Sequence, residues 1–321
     1  MTDLTHPIFN DPDKAREHLE ELRWPNGPVC PHCAAAAEKI SPVEVTGKQT
    51  KTPKRGKHRP PRKGLYYCNT CKEQFTVQVG TVLEHSHIPL NKWLAAFFLM
   101  CSSKKGVSAH QLHRTLKLSY KSAWFMAHRV REAMRKGGLA PPMGGDGGIV
   151  EADETFIGDN KLYKNFKGTR GFQHKHVVLT LVDRTGEARS FHVDRATGAS
   201  ILPIVEKNIA KEATIATDDA GHYRPLRKRG RRHENVSHVQ DEWVRGDIHT
   251  NTVEGYFSIF KRGMKGVYQH CSEKHLHRYL AEFDFRYSNR VKLGVDDTER
   301  TLRAIHGAEG KRLTYRRTNG A

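Results

Sequence analysis

The chain has 321 residues, of which 54 are Lys or Arg and 35 are Asp or Glu, so its formal net charge at pH 7 is +19. At this length two or three domains are expected, and the basic excess predicts a polyanionic partner, most simply DNA or RNA. No run of about 18 apolar residues is present, which excludes a membrane-spanning helix. The first residues lack the apolar stretch of a signal peptide, so we expect a cytoplasmic, nucleoid-associated protein whose six cysteines stay reduced.

Two C-x2-C motifs lie in the first 85 residues. Their cysteines are Cys30, Cys33, Cys68 and Cys71. Four thiolates in two such pairs can hold one tetrahedral Zn²⁺, which predicts a zinc ribbon over residues 1–85 with one structural zinc ion. The interval between the pairs is long, and we interpret its basic, proline-containing part at 48–63 as an inserted loop that can touch phosphates.

A helical segment is predicted over residues 86–136. Residues 91–101 form an apolar, helix-like run, and 108–116 are typical of a short helix. Apolar residues recur at helical spacing across 120–134, and Ser119 can act as the N-cap of that helix. Two helices joined by a tight turn, the second rich in polar and basic residues, are typical of a DNA-binding helix-turn-helix. A plain helical hairpin is an alternative that this segment alone leaves open.

A Gly/Pro-rich linker at 137–148 precedes a different pattern. The predicted elements after it are strands at 149–157, 176–183 and 188–193, a helix at 199–210, a strand at 213–217 and a helix at 274–290. Three strands, a helix, a strand and a helix are the order of a ribonuclease-H-like domain, which we predict over 149–292, with a basic tail at 293–321. The basic stretch at 224–233 is either a solvated loop or a DNA contact.

Three carboxylates stand where this pattern can bring them together. Asp153 lies on the first of these strands, Asp218 follows the fourth, and Glu254 opens a helical run after 35 intervening residues. Carboxylates at strand ends and on a facing helix can hold two divalent cations about 4 Å apart, which clamp the attacking and leaving oxygens of a phosphodiester displacement. A carboxylate in an apolar run is costly without a charged partner, so a buried structural salt bridge is the alternative for either aspartate.

Three blocks of the sequence resemble a known family. Residues 150–158 (VEADETFIG), 249–263 (HTNTVEGYFSIFKRG) and 274–287 (KHLHRYLAEFDFRY) are similar to blocks of the bacterial and archaeal insertion-sequence transposases of the 1595 type. The resemblance covers about residues 15–292. It implies an α/β fold in which a small zinc ribbon and a helix-turn-helix precede a ribonuclease-H-like catalytic domain.

The resemblance also assigns residues. It gives Asp153 and Asp218 the first two catalytic positions, and it gives Lys261 a contact with substrate phosphate from the helix face that carries Glu254. The third position varies in the family between Glu and Asn, and this chain has Asn251 and Glu254 one helical turn apart. We expect Glu254 to complete the metal site, because a hard cation such as Mg²⁺ or Mn²⁺ prefers a carboxylate to an amide oxygen.

The function that this implies is DNA transposition. Two active-site Mg²⁺ ions would support nicking at the ends of a mobile element, and the released 3′-hydroxyl would attack target DNA in a second in-line displacement. The ribbon and the helix-turn-helix would bind terminal inverted repeats, and pairing of two ends predicts a homodimer or larger assembly. Asp219 directly follows Asp218, and an exchange of their roles stays open. Two other classes also stay open, namely a ribonuclease-H-like nuclease without strand transfer and a DNA-binding regulator with an inactive catalytic domain.

Overall fold

The structure is a computed structural model that describes residues 3–43, 63–136, 140–158 and 175–314. The loop predicted at 48–63, apart from its last residue, lies outside the described residues, as do Gly137 and Gly138 of the predicted linker. The chain forms two compact units, one of them made of residues 1–100, 109–133 and 297–321 and the other of the remainder. No described helix combines the length and the apolar character needed to cross a membrane.

The described part of the chain contains both α-helices and β-strands. The helices are α1 (Pro7–Asn10), α2 (Pro12–Arg23), α3 (Leu90–Ser102), α4 (Ala109–Leu116), α5 (Tyr120–Met134), α6 (Gly198–Asn208), α7 (Pro225–Lys228), α8 (Asn251–Gly263), α9 (Glu273–Ser288) and α10 (Asp297–His306). The strands are β1 (Ile40–Pro42), β2 (Tyr66–Cys68), β3 (Gln74–Phe75), β4 (Ile149–Ile157), β5 (His176–Asp183), β6 (Ala188–Val193), β7 (Thr214–Thr217), β8 (Arg232–Asn235), β9 (Val244–Arg245) and β10 (Ile248–His249).

The first unit contains a small antiparallel sheet and the predicted helical pair. β1, β2 and β3 pair in sequence order, and the indole of Trp24 at the end of α2 packs edge-on against the ring of Phe75. α4 and α5 are joined by a turn in which Lys117 has a φ of 50°. The Oγ of Ser119 accepts the N–H of Ser122 at 3.1 Å, so Ser119 caps α5 as predicted.

The C-terminal segment contributes to the first unit. The sequence predicts a basic tail for it, and the structure shows that it contains α10. Beyond α10, the Nζ of Lys311 donates to the carbonyl of Ala133 at 2.9 Å, and the carbonyl of Leu313 accepts from the Arg129 side chain at 3.2 Å. The described part of this segment therefore packs on α5.

The second unit is built on a five-stranded mixed sheet in the order β6-β5-β4-β7-β8. β6, β5 and β4 are antiparallel neighbours, whereas β7 is parallel to β4 and β8 is parallel to β7. The predicted bounds of the first three strands are those observed. This order is the one expected of the predicted ribonuclease-H-like domain.

Side-chain alternation along β4 separates two apolar cores. Val150 and Ala152 belong to a core that includes residues of α6, whereas Ile157 belongs to a core that includes residues of α8 and α9. Successive residues of a strand point to opposite faces of the sheet. Glu151 and Asp153 share the parity of Ile157, so they point to the face that α8 and α9 cover.

Two features of this unit differ from the sequence-based expectation. The stretch at 224–233, interpreted as a loop or a DNA contact, provides α7 and the start of β8. The sequence does not predict β8, because its residues are Arg, His, Glu and Asn, which give no apolar signal. Met143, in the predicted linker, is buried in the core beside α6 and exchanges backbone hydrogen bonds with Asn208 and Ala210.

Candidate active site and zinc site

Parallel pairing brings the two predicted aspartates to the same level of the sheet. In the β4–β7 ladder, Glu151 is the register partner of Ala216. Asp153 and Asp218 each lie two residues further along these parallel strands, and they therefore stand side by side just beyond the paired segment. The sequence predicts that they converge, and the ladder supplies the register that makes them neighbours.

The Asp153 carboxyl lies in a largely desolvated and electronegative environment. Its Oδ1 accepts the N–H of Glu154 at 2.7 Å. Burial raises the pKa of Asp153 to about 8, and the charges of Asp218, Glu154 and Glu254 act in the same direction. An additional positive charge at this place would relieve the repulsion among these carboxylates.

Glu254 reaches this site from the first turn of α8. Its Oε1 accepts the Oγ1–H of Thr250 at 2.8 Å and lies 3.6 Å from the Nε2 of His238. Its charge is among the causes that raise the pKa of Asp153, so it lies near enough to act on that carboxyl. Asn251, one turn earlier, is exposed at the first residue of α8.

Asp219 and Lys261 have different surroundings. The Oδ1 of Asp219 accepts the Nδ2–H of Asn235 on β8 at 2.9 Å, whereas the Oδ1 of Asp218 accepts the N–H of Ala220 at 3.0 Å.

Lys261 is exposed on α8. It lines a cavity of about 500 Å³ together with Glu154, Lys175 and Lys265. The cavity is lined on one side by the end of β4, and the ammonium groups of Lys175, Lys261 and Lys265 make it suitable for a ligand that carries phosphate.

Sequence reasoning assigned no role to Glu151, which the structure makes central. Its side chain is fully buried and accepts hydrogen bonds from Arg184 Nη1 and, at 2.8 Å, from the backbone N–H of Val253, while the Nδ1 of His249 lies 3.1 Å away. The N-cap residue of α8, Thr250, makes no side-chain capping bond. The Glu151 carboxylate from β4 instead accepts a backbone N–H of the first turn, that of Val253. The sequence contains one signal for this role: Glu151 is an acidic residue in an apolar run, where a carboxylate needs a partner.

The three carboxylates are not gathered as tightly as a closed metal cluster. Within the described ranges, two groups bring three or more ligand atoms within 4.8 Å of one another, and Asp153, Asp218 and Glu254 are not one of them. All three offer the oxygen ligands that Mg²⁺ and Mn²⁺ prefer. Mutual repulsion of three carboxylates is a physical reason for an open arrangement.

The four cysteines of the first unit do form a tight cluster. The Sγ atoms of Cys30 and Cys71 are 3.6 Å apart, and those of Cys33 and Cys68 are 3.7 Å apart. Zn–S bonds of about 2.3 Å in a tetrahedron separate the sulfurs by about 3.8 Å, so the donor set suits zinc.

Replacing a cysteine ligand tests the zinc site. We expect Cys71→Ser to lose one zinc ion per chain and to unfold the ribbon, because metal binding supplies most of the folding free energy of such small domains. Zinc content by mass spectrometry and tryptophan fluorescence, to which Trp24 contributes with three other tryptophans, are the measurements. Cys101→Ser, at a cysteine outside both motifs, is the control and should retain the ion. Unchanged zinc content in Cys71→Ser would contradict the assignment.

The raised pKa of Asp153 predicts a pH-dependent stability in magnesium-free buffer. The folded-state pKa of about 8 exceeds the ordinary value of 3.8, so between these pH values the folded protein binds more protons than the unfolded chain. The stability contributed by protonated Asp153 is therefore lost as pH rises towards 8. Asp153→Asn avoids this loss and should raise the free energy of unfolding by about 1 kcal/mol or more at pH 8, since one pKa unit corresponds to about 1.4 kcal/mol.

Urea denaturation of both proteins at pH 5.5 and pH 8 checks this expectation. The advantage of Asp153→Asn should shrink at the lower pH, where wild-type Asp153 is protonated. An equal effect at the two pH values would mean that the substitution acts through packing rather than through ionisation.

Comparison with known proteins gives consistent results along the chain. Residues 10–74 match a transposase zinc-ribbon domain, and residues 146–288 match an ISXO2-like transposase domain, both of the 1595 type. A Halobacterium salinarum protein described as an uncharacterized protein in transposable element ISH50 is 29% identical over 287 residues, which are 85% of this chain and 90% of that protein.

One solved structure with a weaker likeness is a simian T-cell lymphotropic virus intasome in complex with the PP2A regulatory subunit B56 gamma. It is 16% identical, with 54% of this chain and 67% of that chain covered and a TM-score of 0.28, a likeness that has no bearing on the site.

The zinc ribbon and the transposase domain thus match the same type of protein, in the order in which the two domains occur in this chain. The matched transposase domain contains Asp153, Asp218, Glu254 and the mixed sheet that carries them. The chain therefore belongs to the insertion-sequence transposases of the 1595 type and has their zinc ribbon and ribonuclease-H-like transposase domain.

Proposed function

We propose that this transposase nicks DNA at the ends of its element and joins the exposed 3′-hydroxyl to target DNA. The observation that carries the proposal is the side-by-side position of Asp153 and Asp218 beyond the β4–β7 ladder, with the charge of Glu254 on α8 acting on Asp153. Carboxylates from two strands and a facing helix, together with a basic cavity beside them, suit metal-dependent phosphodiester transfer.

Each residue has a separate role in this proposal. Asp153, Asp218 and Glu254 would hold two Mg²⁺ or Mn²⁺ ions, which when bound activate water and stabilise the charge on the transferred phosphate. Lys261 would contact a DNA phosphate from the exposed side of α8, in the cavity that it shares with Lys175. Thr250 would orient Glu254 through the hydrogen bond between their side chains.

DNA recognition is assigned to the first unit. The ribbon and the α4–α5 pair would bind the terminal inverted repeats, and the net charge of +19 would strengthen this binding through contacts with phosphates. Simultaneous capture of two ends would require a homodimer or a larger assembly.

A short-duplex assay tests the function. The full-length protein is mixed with duplexes that carry the sequences flanking its coding region, in the presence and absence of Mg²⁺, with a scrambled duplex as the control. We expect nicking only at the element end and only with Mg²⁺, followed by joined products when a supercoiled target is added. Nicking without joining would favour a ribonuclease-H-like nuclease. Specific binding without nicking would favour a DNA-binding regulator.

The third metal-binding group can be identified by a pair of substitutions. We expect Glu254→Gln to abolish Mg²⁺-dependent nicking, because it removes a negative charge that acts on Asp153. Asn251→Ala should retain partial activity, since Asn251 carries no charge and a neutral amide oxygen is the weaker ligand for Mg²⁺. Nicking rates at several Mg²⁺ concentrations provide the measurement. The reverse ranking would make Asn251 the third ligand and leave Glu254 as a structural partner.

A further inference from the structure

A second cluster of potential metal ligands lies in the transposase domain. It consists of His176 at the start of β5, His192 on β6 and Glu273, the first residue of α9. One ligand atom of each lies within 4.8 Å of the others. None of the three belongs to the carboxylate site or to the cysteine cluster described above.

The sheet register explains why the two histidines meet. His192 is the register partner of Val178, and His176 precedes Val178 by two residues on the same face of β5. The two imidazole rings are 5.2 Å apart and nearly perpendicular. Their face is the one that α9 covers, since the side-chain Oγ of Ser190, two residues before His192 on β6, donates to Asp284 of α9 at 2.6 Å. Glu273 enters the cluster from the N-terminal end of α9.

His176 gives an independent indication that a ligand is missing. Its side chain is only 8% exposed, and its Nδ1 is buried without a hydrogen-bond partner among the described residues. A buried nitrogen of this kind costs free energy unless something satisfies it.

We propose that His176, His192 and Glu273 form a transition-metal site, with Zn²⁺ as the fitting ion. Two imidazoles and one carboxylate are a common zinc set and leave a fourth position for water. Imidazole nitrogen selects zinc over magnesium, so this site would not compete for the ions at Asp153 and Asp218. The ion would join the start of α9 to the β5–β6 edge. α9 also supplies Asp284, which accepts the Tyr256 hydroxyl of α8 at 2.6 Å, so the ion would stabilise the packing behind the catalytic helix.

Metal content of the full-length protein tests the proposal. After dialysis against buffered free zinc, the wild type should hold two zinc ions per chain, one in the ribbon and one in this cluster. His192→Asn and Glu273→Gln should each hold one, and His270→Gln, an exposed histidine outside the cluster, should hold two. Both test variants change groups that are partly or fully exposed, so they are expected to fold; thermal unfolding without added zinc checks this.

Cobalt substitution separates the two sites. Thiolate ligands give Co²⁺ an intense charge-transfer absorption, whereas nitrogen and oxygen ligands give only weaker visible bands. His192→Asn should lose the weaker bands and keep the intense one, and Cys71→Ser should do the opposite. A wild type that binds one zinc at saturation, or test variants that both keep two, would overturn the proposal. Neither readout depends on DNA cleavage, so this outcome is separate from that of the proposed function.

Discussion

Asp153→Asn and Asp218→Asn are each expected to reduce the rate of element-end nicking by about 10³-fold or more. A metal ion contributes several kcal/mol to the stabilisation of a phosphoryl transition state, and each 1.4 kcal/mol lost slows the reaction about tenfold. Replacing one carboxylate oxygen by an amide nitrogen removes a charged ligand at nearly constant volume. The change leaves the zinc ribbon and the α4–α5 pair untouched, so binding of end DNA should stay within about twofold.

Single-turnover nicking and equilibrium DNA binding, measured on the same preparations, check this expectation. Asp219→Asn is the matched control, because Asp219 is adjacent in sequence but its carboxylate bonds the Asn235 side chain. It should retain most of the activity. If Asp219→Asn is inactive and Asp218→Asn is active, the second ligand is Asp219. If all three variants nick normally, the carboxylate site is not the catalytic centre.

Glu151→Ala is expected to have the largest effect of any substitution outside the three carboxylates. Removing one member of a buried ion pair costs about 3–5 kcal/mol, and the low end applies to this pair because Arg184 is 30% exposed and can be rehydrated. The change also leaves the N–H of Val253 without its acceptor at the N-terminus of α8. We therefore expect a lower free energy of unfolding together with a strong loss of nicking.

Glu151→Gln separates positioning from simple destabilisation. A glutamine oxygen can still accept the N–H of Val253, so the variant should recover much of the stability and part of the activity. Glu151 acts through the first turn of α8, which carries Glu254, so the substitution should hold Glu254 less firmly. We therefore expect Glu151→Gln to need a higher Mg²⁺ concentration than the wild type for half-maximal nicking. A variant with normal Mg²⁺ dependence and normal stability would show that Glu151 does not position α8. Urea denaturation and Mg²⁺ titrations of the nicking rate provide the two readouts.

Much of the fold follows from local pattern. The bounds of β4, β5 and β6 are predictable because each is an apolar or alternating run that ends at a turn, such as the one around Gly186. α5 is predictable because a Ser119 cap precedes apolar residues at helical spacing, and the structure contains that cap. Four cysteines in two short motifs are sufficient to predict a zinc ribbon, which the tight cluster and the matched domain confirm. These signals lie within a few residues, where backbone geometry dictates the outcome.

The sequence by itself therefore determined the family, the order of the elements from β4 to β7 and the candidate acidic residues. The tertiary structure decided which acids meet, because the β4–β7 register aligns Asp153 with Asp218 across 65 residues of chain. It also decided the role of Glu151, because the N–H of Val253 at the N-terminus of α8 needs an acceptor and the Glu151 carboxylate on β4 provides it. β8 exists because β7 offers it backbone hydrogen bonds, although its own residues carry no apolar signal. Contacts between distant segments depend on pairing and burial, and neither is encoded in any short stretch of sequence.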